Sequence, residues 1–287
     1  MKLAPLKLTL FLLLGTLVTL ALTAIPRPAH ATITITPMFL VIEGRQRYAD
    51  FNLINTSDEP QTYVMGWRYF KMAEGTGEYL IVDKPPTDFN IADNIVFTPR
   101  KVTLAPRETQ KVRLALRLKG EPPAPGDYRA HLEFSQVKKE APPSSPPEQN
   151  SSDPEKHAVK VGVGISVAYS VPVIYRVGEG DATATMGDIT TGTNPNSGAA
   201  EVHVPITKNG TTSLMANLTV YHTPTGGART VVGEIQNANI FSEATQRAFV
   251  VTLNVKELSN GSLEIVYKEA DPKKDVVFAQ RTLAITQ

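Results

Sequence analysis

From residue 48 onward the chain alternates apolar and polar positions with a period of two, the signature of strands with one buried face. Ala49, Phe51 and Leu53 stand opposite Tyr48, Asp50 and Asn52. Tyr63, Met65, Trp67 and Tyr69 share a face, and Val112, Leu114, Leu116 and Leu118 alternate with Arg113, Ala115 and Arg117. Tyr128, Ala130, Leu132 and Phe134 alternate with Arg129, His131 and Glu133. Turn-forming residues at 55–60, 75–77, 85–86, 105–106 and 122–126 divide these runs, and no stretch keeps a helical period. Short strands at this spacing predict an all-β chain, beginning with a β-sandwich.

One run is longer than the rest. Val159, Val161, Val163, Ile165, Val167, Tyr169, Val171 and Val173 fall on one face, with small or polar residues between them. Ordinary strands end after about 5–6 residues. Two readings follow. The run is a central strand whose branched side chains fill the core, or it overhangs the sandwich and offers a sheet edge for strand addition. Pro172 suits the end of a strand better than a central ladder, so the chain is expected to leave the first sandwich over residues 172–180. Alternation then resumes with Val202, Val204 and Ile206, then Leu218 and Val220, Val251, Leu253 and Val255, Leu263, Ile265 and Tyr267, and Leu283 and Ile285. Turns are expected at Asn209-Gly210, Gly226-Gly227 and Asn260-Gly261, the first and last with hairpin chemistry. A second, smaller sandwich follows from this spacing.

Two segments break the pattern. Residues 1–31 carry Lys2 and Lys7, an apolar run over 8–25, Pro26 and Pro28, then Ala29-His30-Ala31. That order reads as a cleaved signal peptide, with a retained anchor as the alternative. Residues 138–156 hold five prolines and no Val, Ile, Leu, Phe or Met. Such a stretch buries too little to offset its ordering entropy, and it is expected as a mobile loop inside the first domain. The expected organisation is therefore a signal peptide at 1–31, a first domain at 32–176 and a second at 177–287.

Composition narrows the function. With 287 residues, 41% hydrophobic and 20% charged, the chain has enough apolar surface for cores. A formal charge of +1 argues against nucleic acid as a partner. No cysteine is present, which removes disulfides, thiolate metal sites and a cysteine nucleophile. His131, His157, His203 and His222 are isolated in sequence, and His131 and His203 fall on polar strand faces, where solvent exposure is expected. Neither a local metal-ligand spacing nor a nucleophile-elbow motif occurs, and Gly162-x-Gly164 lies in a strand pattern with no helix behind it. No catalytic residue, metal or cofactor is expected.

Specific motifs then resemble the periplasmic chaperones of the chaperone–usher pilus pathway. They are Phe97-x-Pro99, Leu104-x-Pro106 and Gln110-x-Val112-Arg113, with the turn at 55–60, Trp67, and Pro125-Gly126-Asp127-Tyr128-Arg129 at the start of a strand. The proline-rich loop and the long valine row follow in the family's order. The resemblance implies two immunoglobulin-like β-sandwich domains in an exported, non-enzymatic protein of the periplasm. It implies that Val161, Val163, Ile165 and Val167, with Val159 extending the row, are lent to a pilus or fimbrial subunit that lacks its own last strand. An outer-membrane usher is the implied second partner, and self-association through the exposed row is a further expectation. The rival reading is an exported adhesion or scaffold module in which the long strand is core; an enzyme using polar residues gathered in space stands third.

The family grips the subunit's terminal carboxylate with an Arg and a Lys. Aligning Glu43-Gly44 and Tyr175-Arg176 with the family pattern puts Phe39 at the Arg position and Pro172 at the Lys position, and neither is a cation. Arg176 is the nearest candidate to compensate, with Arg45 and Arg47 behind it. The anchoring group is thus left open by the sequence.

Overall fold

A computed structural model describes residues 32–137 and 167–286. The signal segment, the proline-rich loop, and Val159, Val161, Val163 and Ile165 lie outside the described residues. The first ten strands are β1 (Ile33–Thr36), β2 (Leu40–Glu43), β3 (Tyr48–Asn55), β4 (Gln61–Met72), β5 (Tyr79–Val82), β6 (Ile95–Thr98), β7 (Lys101–Leu104), β8 (Thr109–Leu116), β9 (Gly126–Val137) and β10 (Ala168–Val177). They form two sheets. One runs β1-β3-β8-β6, and the other runs β2-β10-β9-β4-β5 with β7 also on β4. The chain changes sheet between β1 and β2 and again between β6 and β7, at Pro37 and Pro99.

The alternation places the core as expected. Phe51, Leu53, Tyr63, Val112, Leu114, Leu132 and Phe134 are buried between the sheets, with Phe51 and Phe134 edge to face at 5.9 Å. Asn55, the last residue of β3, is fully buried and holds the corner that follows. Its amide donates to the carbonyls of Glu59, Leu104 and Ala105, and its oxygen accepts from the Ser57 N–H and hydroxyl.

Eight further strands complete the chain: β11 (Thr183–Met186), β12 (Thr190–Thr193), β13 (Ala200–Asn209), β14 (Ala216–Pro224), β15 (Thr230–Ile235), β16 (Gln246–Thr252), β17 (Gly261–Glu269) and β18 (Val277–Ile285). In one sheet β11, β12 and β16 all pair with β13, and the other runs β15-β14-β17-β18. Val202, Val204, Leu218, Val220, Phe249, Leu263, Ile265 and Tyr267 fill the second core.

The turns of this sandwich correct the sequence reading. Asn209-Gly210 and Asn260-Gly261 close no hairpin: β13 and β14 lie in different sheets, as do β16 and β17. The hairpin is the middle turn at Gly226-Gly227, between paired β14 and β15. Local turn chemistry cannot tell a return along the same sheet from a crossing to the facing one. At Gly210 a different need selects glycine: φ is +98° and a Cβ would stand 2.6 Å from the Asp181 carbonyl oxygen.

Pro172 also departs from expectation. It sits inside β10, which continues to Val177. The reason is its orientation. The Gln136 N–H donates to the Val167 carbonyl at 3.1 Å, and the β9–β10 register runs without a shift through Val177↔Gly126. Odd-numbered residues of β10 therefore bond to β9, and even-numbered ones point the other way. The missing N–H of Pro172 faces away from β9 and just short of β2, whose parallel pairing begins at Val173↔Leu40. No ladder bond is lost there.

Candidate functional site

That parity defines an open edge. β9 covers one side of β10 along its whole length, whereas β2 covers the other only from Val173 to Arg176. Among the described residues nothing pairs with 168–171 on the β2 side. Ala168 and Ser170 present an N–H and a carbonyl there, whereas the Pro172 carbonyl meets the first residue of β2. Side chains on the core face divide the valine row. Val171 and Val173 are buried in the first core, Tyr169 is half-buried, and Val167 is 40% exposed. The core reading therefore holds for the end of the row and not for Val167.

The opposite face of this edge is ordered by charge. Cross-strand neighbours run Ser170↔Glu133↔Gly66 and Pro172↔His131↔Arg68. Glu133 accepts from Arg68 Nη2 and Nε at 3.1 and 3.2 Å, and from the Ser135 and Ser170 hydroxyls. The bonded Arg68 guanidinium, aided by its charge and these hydroxyls, holds the Glu133 carboxyl below the usual range against the opposing effect of burial.

Past Pro172 the edge runs into the residues before β2 and a cleft of about 660 Å³ between the sandwiches. Met38, Phe39, Leu40 and Met215 give its apolar lining, and Lys273 and Lys274 lie on its rim. Phe39 packs its apolar ring against the second core. Pro172 is half-buried in β10. Arg176 is engaged already. Its Nε and Nη2 donate to the two oxygens of Asp127 at 2.8 Å each, Nη2 reaches the Ser213 carbonyl at 3.2 Å, and Nη1 stands 3.7 Å from Glu43. Glu43 takes Lys274 as well, at 3.2 Å. Arg47 donates to the Gly44 and Gln46 carbonyls, and Arg45 is exposed in the same turn.

Two polar clusters that join the sandwiches were not anticipated from the sequence. In the first, Asp127 has a fully buried side chain and accepts the Ser213 N–H at 2.7 Å in addition to Arg176. The second lies on the polar face of β9. Arg129, 1% exposed, pairs with Glu243 and donates to the Phe70 carbonyl at 2.9 Å, with its guanidinium 3.8 Å over the Phe241 ring. His131 beside it is buried, not solvated as expected. Phe70, Tyr79 and Phe241 surround its ring. The alternation of β9 identified a polar face correctly, and the second sandwich with β5 then covered it. Burial first, and the Arg129 charge second, push the His131 pKa down to about 2. The signal was present in the motif at 125–129, which contains both Asp127 and Arg129, but strand periodicity assigns such residues to solvent. His203 is exposed as expected. Among the described residues no group of three His, Asp or Glu is placed to hold a metal, and no helix is long and apolar enough to cross a membrane.

No protein-family model matches the chain, and no curated protein does. The chain is similar in structure to several periplasmic chaperone–usher pilus chaperones, at low sequence identity. To the YadV chaperone it is 10% identical, over 89% of this chain and 100% of that one, with a TM-score of 0.40. A second similar structure is the CsuC–CsuE chaperone–tip adhesion subunit pre-assembly complex from the archaic Csu pili of Acinetobacter baumannii. Here identity is 13%, coverage 89% and 98%, and the TM-score 0.43. The periplasmic chaperone SfaE is 9% identical, over 87% and 98%, with a TM-score of 0.38.

Proposed function

We propose that this chain is a non-enzymatic periplasmic chaperone that binds pilus or fimbrial subunits by adding a strand to them and delivers them to an outer-membrane usher. The observation that carries the reading is the open edge of β10 at 168–171, continued by exposed Val167 in line with the alternating row that precedes it. An edge of this kind supplies main-chain hydrogen bonds, and a branched row supplies side chains for a groove in the partner. The sequence motifs that resemble the family support the same reading. In it, Val159, Val161, Val163, Ile165 and Val167 are the subunit-binding residues of a first domain at 32–176, the domain at 177–287 completes the cleft, and 1–31 is removed on export.

The subunit carboxylate has no obvious anchor in this reading. Phe39 and Pro172 carry no charge, and Arg176 would have to be shared with Asp127 and Glu43. The second reading, an exported adhesion or scaffold module, is favoured by the burial of Val171 and Val173 in the core.

A pull-down from periplasmic extract with wild type and the Val163→Asp/Ile165→Asp variant separates the two. Small pilin-like proteins captured by wild type and lost from a folded variant support strand donation. A folded variant that keeps its partners refutes it, and a variant that unfolds makes the row core and favours the scaffold.

A further inference from the structure

The first sandwich grips one short stretch of the second, residues 242–248, from several directions. The turn joining β4 to β5 lies alongside the start of β16. The Gly75 N–H donates to the Gln246 carbonyl at 3.0 Å, and the Ala248 N–H donates to the Gly75 carbonyl at 2.7 Å. Beside this parallel bridge, the Glu74 carboxylate accepts the Thr245 N–H at 3.0 Å and its hydroxyl at 2.6 Å. The end of β4 reaches the same stretch, where the Met72 N–H donates to Glu243 at 3.0 Å. From β9, Arg129 pairs with that same Glu243, and the Asp127 carbonyl accepts the Ser242 hydroxyl at 3.2 Å.

Sequence and backbone are fitted to this contact. Gly77 has φ +71°, and a Cβ there would overlap the Arg247 guanidinium. Only glycine leaves room for that side chain, which donates to the Asn239 carbonyl at 2.6 Å and lies 4.5 Å over the Phe249 ring. The Asp127–Arg176–Ser213 cluster forms a second fixed group at the connection between the sandwiches. Rotation about the covalent connection after β10 would break these bonds together, leaving buried charges without partners.

From these contacts we infer that the β4–β5 turn, residues 73–77, is a strap that locks the two sandwiches into one rigid body. The β10 edge and the inter-sandwich cleft are then held at a preset angle, and a partner meets a finished surface in place of a hinge that closes on it. Preorganisation of this kind removes an ordering cost from binding.

The absence of native cysteine makes the test direct. Spin labels at Lys101→Cys on β7 and Thr282→Cys on β18 report the angle by double electron–electron resonance, with Gly77→Val as the strap-breaking change. A single narrow distance distribution in the parent that broadens with Gly77→Val, while the amide spectra of both sandwiches persist, is the expected result. A parent already broad, or a folded Gly77→Val as narrow as the parent, overturns the inference. Should Gly77→Val fail to fold, Glu74→Ala/Thr245→Ala removes only the peripheral bonds. It must then widen the distribution partially, and no widening overturns the strap.

Discussion

Asp127→Asn is the sharpest test of how the sandwiches are joined. The buried carboxylate accepts three hydrogen bonds, two from Arg176 at 2.8 Å and one from the Ser213 N–H at 2.7 Å. Asparagine keeps the size but has one acceptor oxygen. If that oxygen stays with Ser213 and Arg176 Nη2, the new NH2 faces Arg176 Nε, and if it turns to Nε, the NH2 faces both the Ser213 N–H and Nη2. Either orientation also leaves a guanidinium that is 12% exposed with Glu43 at 3.7 Å, and Glu269 beyond it, to balance its charge. Breaking a buried pair from one side costs about 3–5 kcal/mol, a large share of the roughly 5–15 kcal/mol that stabilises a domain. Urea unfolding of wild type, Asp127→Asn, Arg176→Met and the double variant reads this directly. The double variant should be more stable than Asp127→Asn alone, because the uncompensated charge goes with the arginine. A loss below about 1 kcal/mol in Asp127→Asn, or strictly additive losses, would refute the reasoning.

His131 gives a pH dependence of defined sign. Its folded pKa is lowered to about 2, whereas an unfolded histidine titrates near 6.5, so its contribution is complete above about pH 6.5 and declines as the pH falls toward 2. Urea midpoints at pH 7 and 4.5 should show wild type losing up to about 1.4 kcal/mol per pH unit more than His131→Phe, and parallel curves would count against it. Val173→Asp puts a carboxylate into a fully buried position and should cost about 4 kcal/mol or more, whereas Val167→Asp should leave the thermal midpoint nearly unchanged. Asn55→Ala removes a donor from the carbonyls of Glu59, Leu104 and Ala105, the last of which keeps the Glu108 N–H, and should cost about 1–3 kcal/mol in urea unfolding.

Period-two alternation was enough to read strands, cores and the division into two sandwiches, because burial of one strand face is a local property of the sequence. It was insufficient wherever a second layer covered the outer face. Arg129 and His131 read as solvated until Phe241 and Tyr79 close over them, and those partners lie more than a hundred and about fifty residues away. The hairpins were misassigned for a related reason: Asn-Gly chemistry sets a turn but not the sheet to which the chain returns. The apolar character of Phe39 and Pro172 was legible. The engagement of Arg176 by Asp127 was not, since it depends on a β9–β10 register that spacing does not encode.

The open edge itself can be tested without any partner, through the parity of β10. Amides of Val171 and Val173 point at β9 and belong to a ladder, so opening them requires separating two central strands. The Ser170 amide points the other way, toward a side where β2 has not begun. Hydrogen exchange should therefore alternate, slow at Val171 and Val173 and fast at Ser170, with rates differing by orders of magnitude in a sheet this well bonded. Pro172→Ala introduces an amide on the same open side. It should exchange as fast as Ser170, and stability should change by no more than about 1 kcal/mol, since no ladder bond is gained and only the ring's restriction of the unfolded chain is lost. Equal protection of Ser170 and Val171 would mean that the edge is covered. Slow exchange at the amide that Pro172→Ala introduces would mean that the proline lies within a ladder. Either result would remove the strand-adding surface on which the chaperone reading stands.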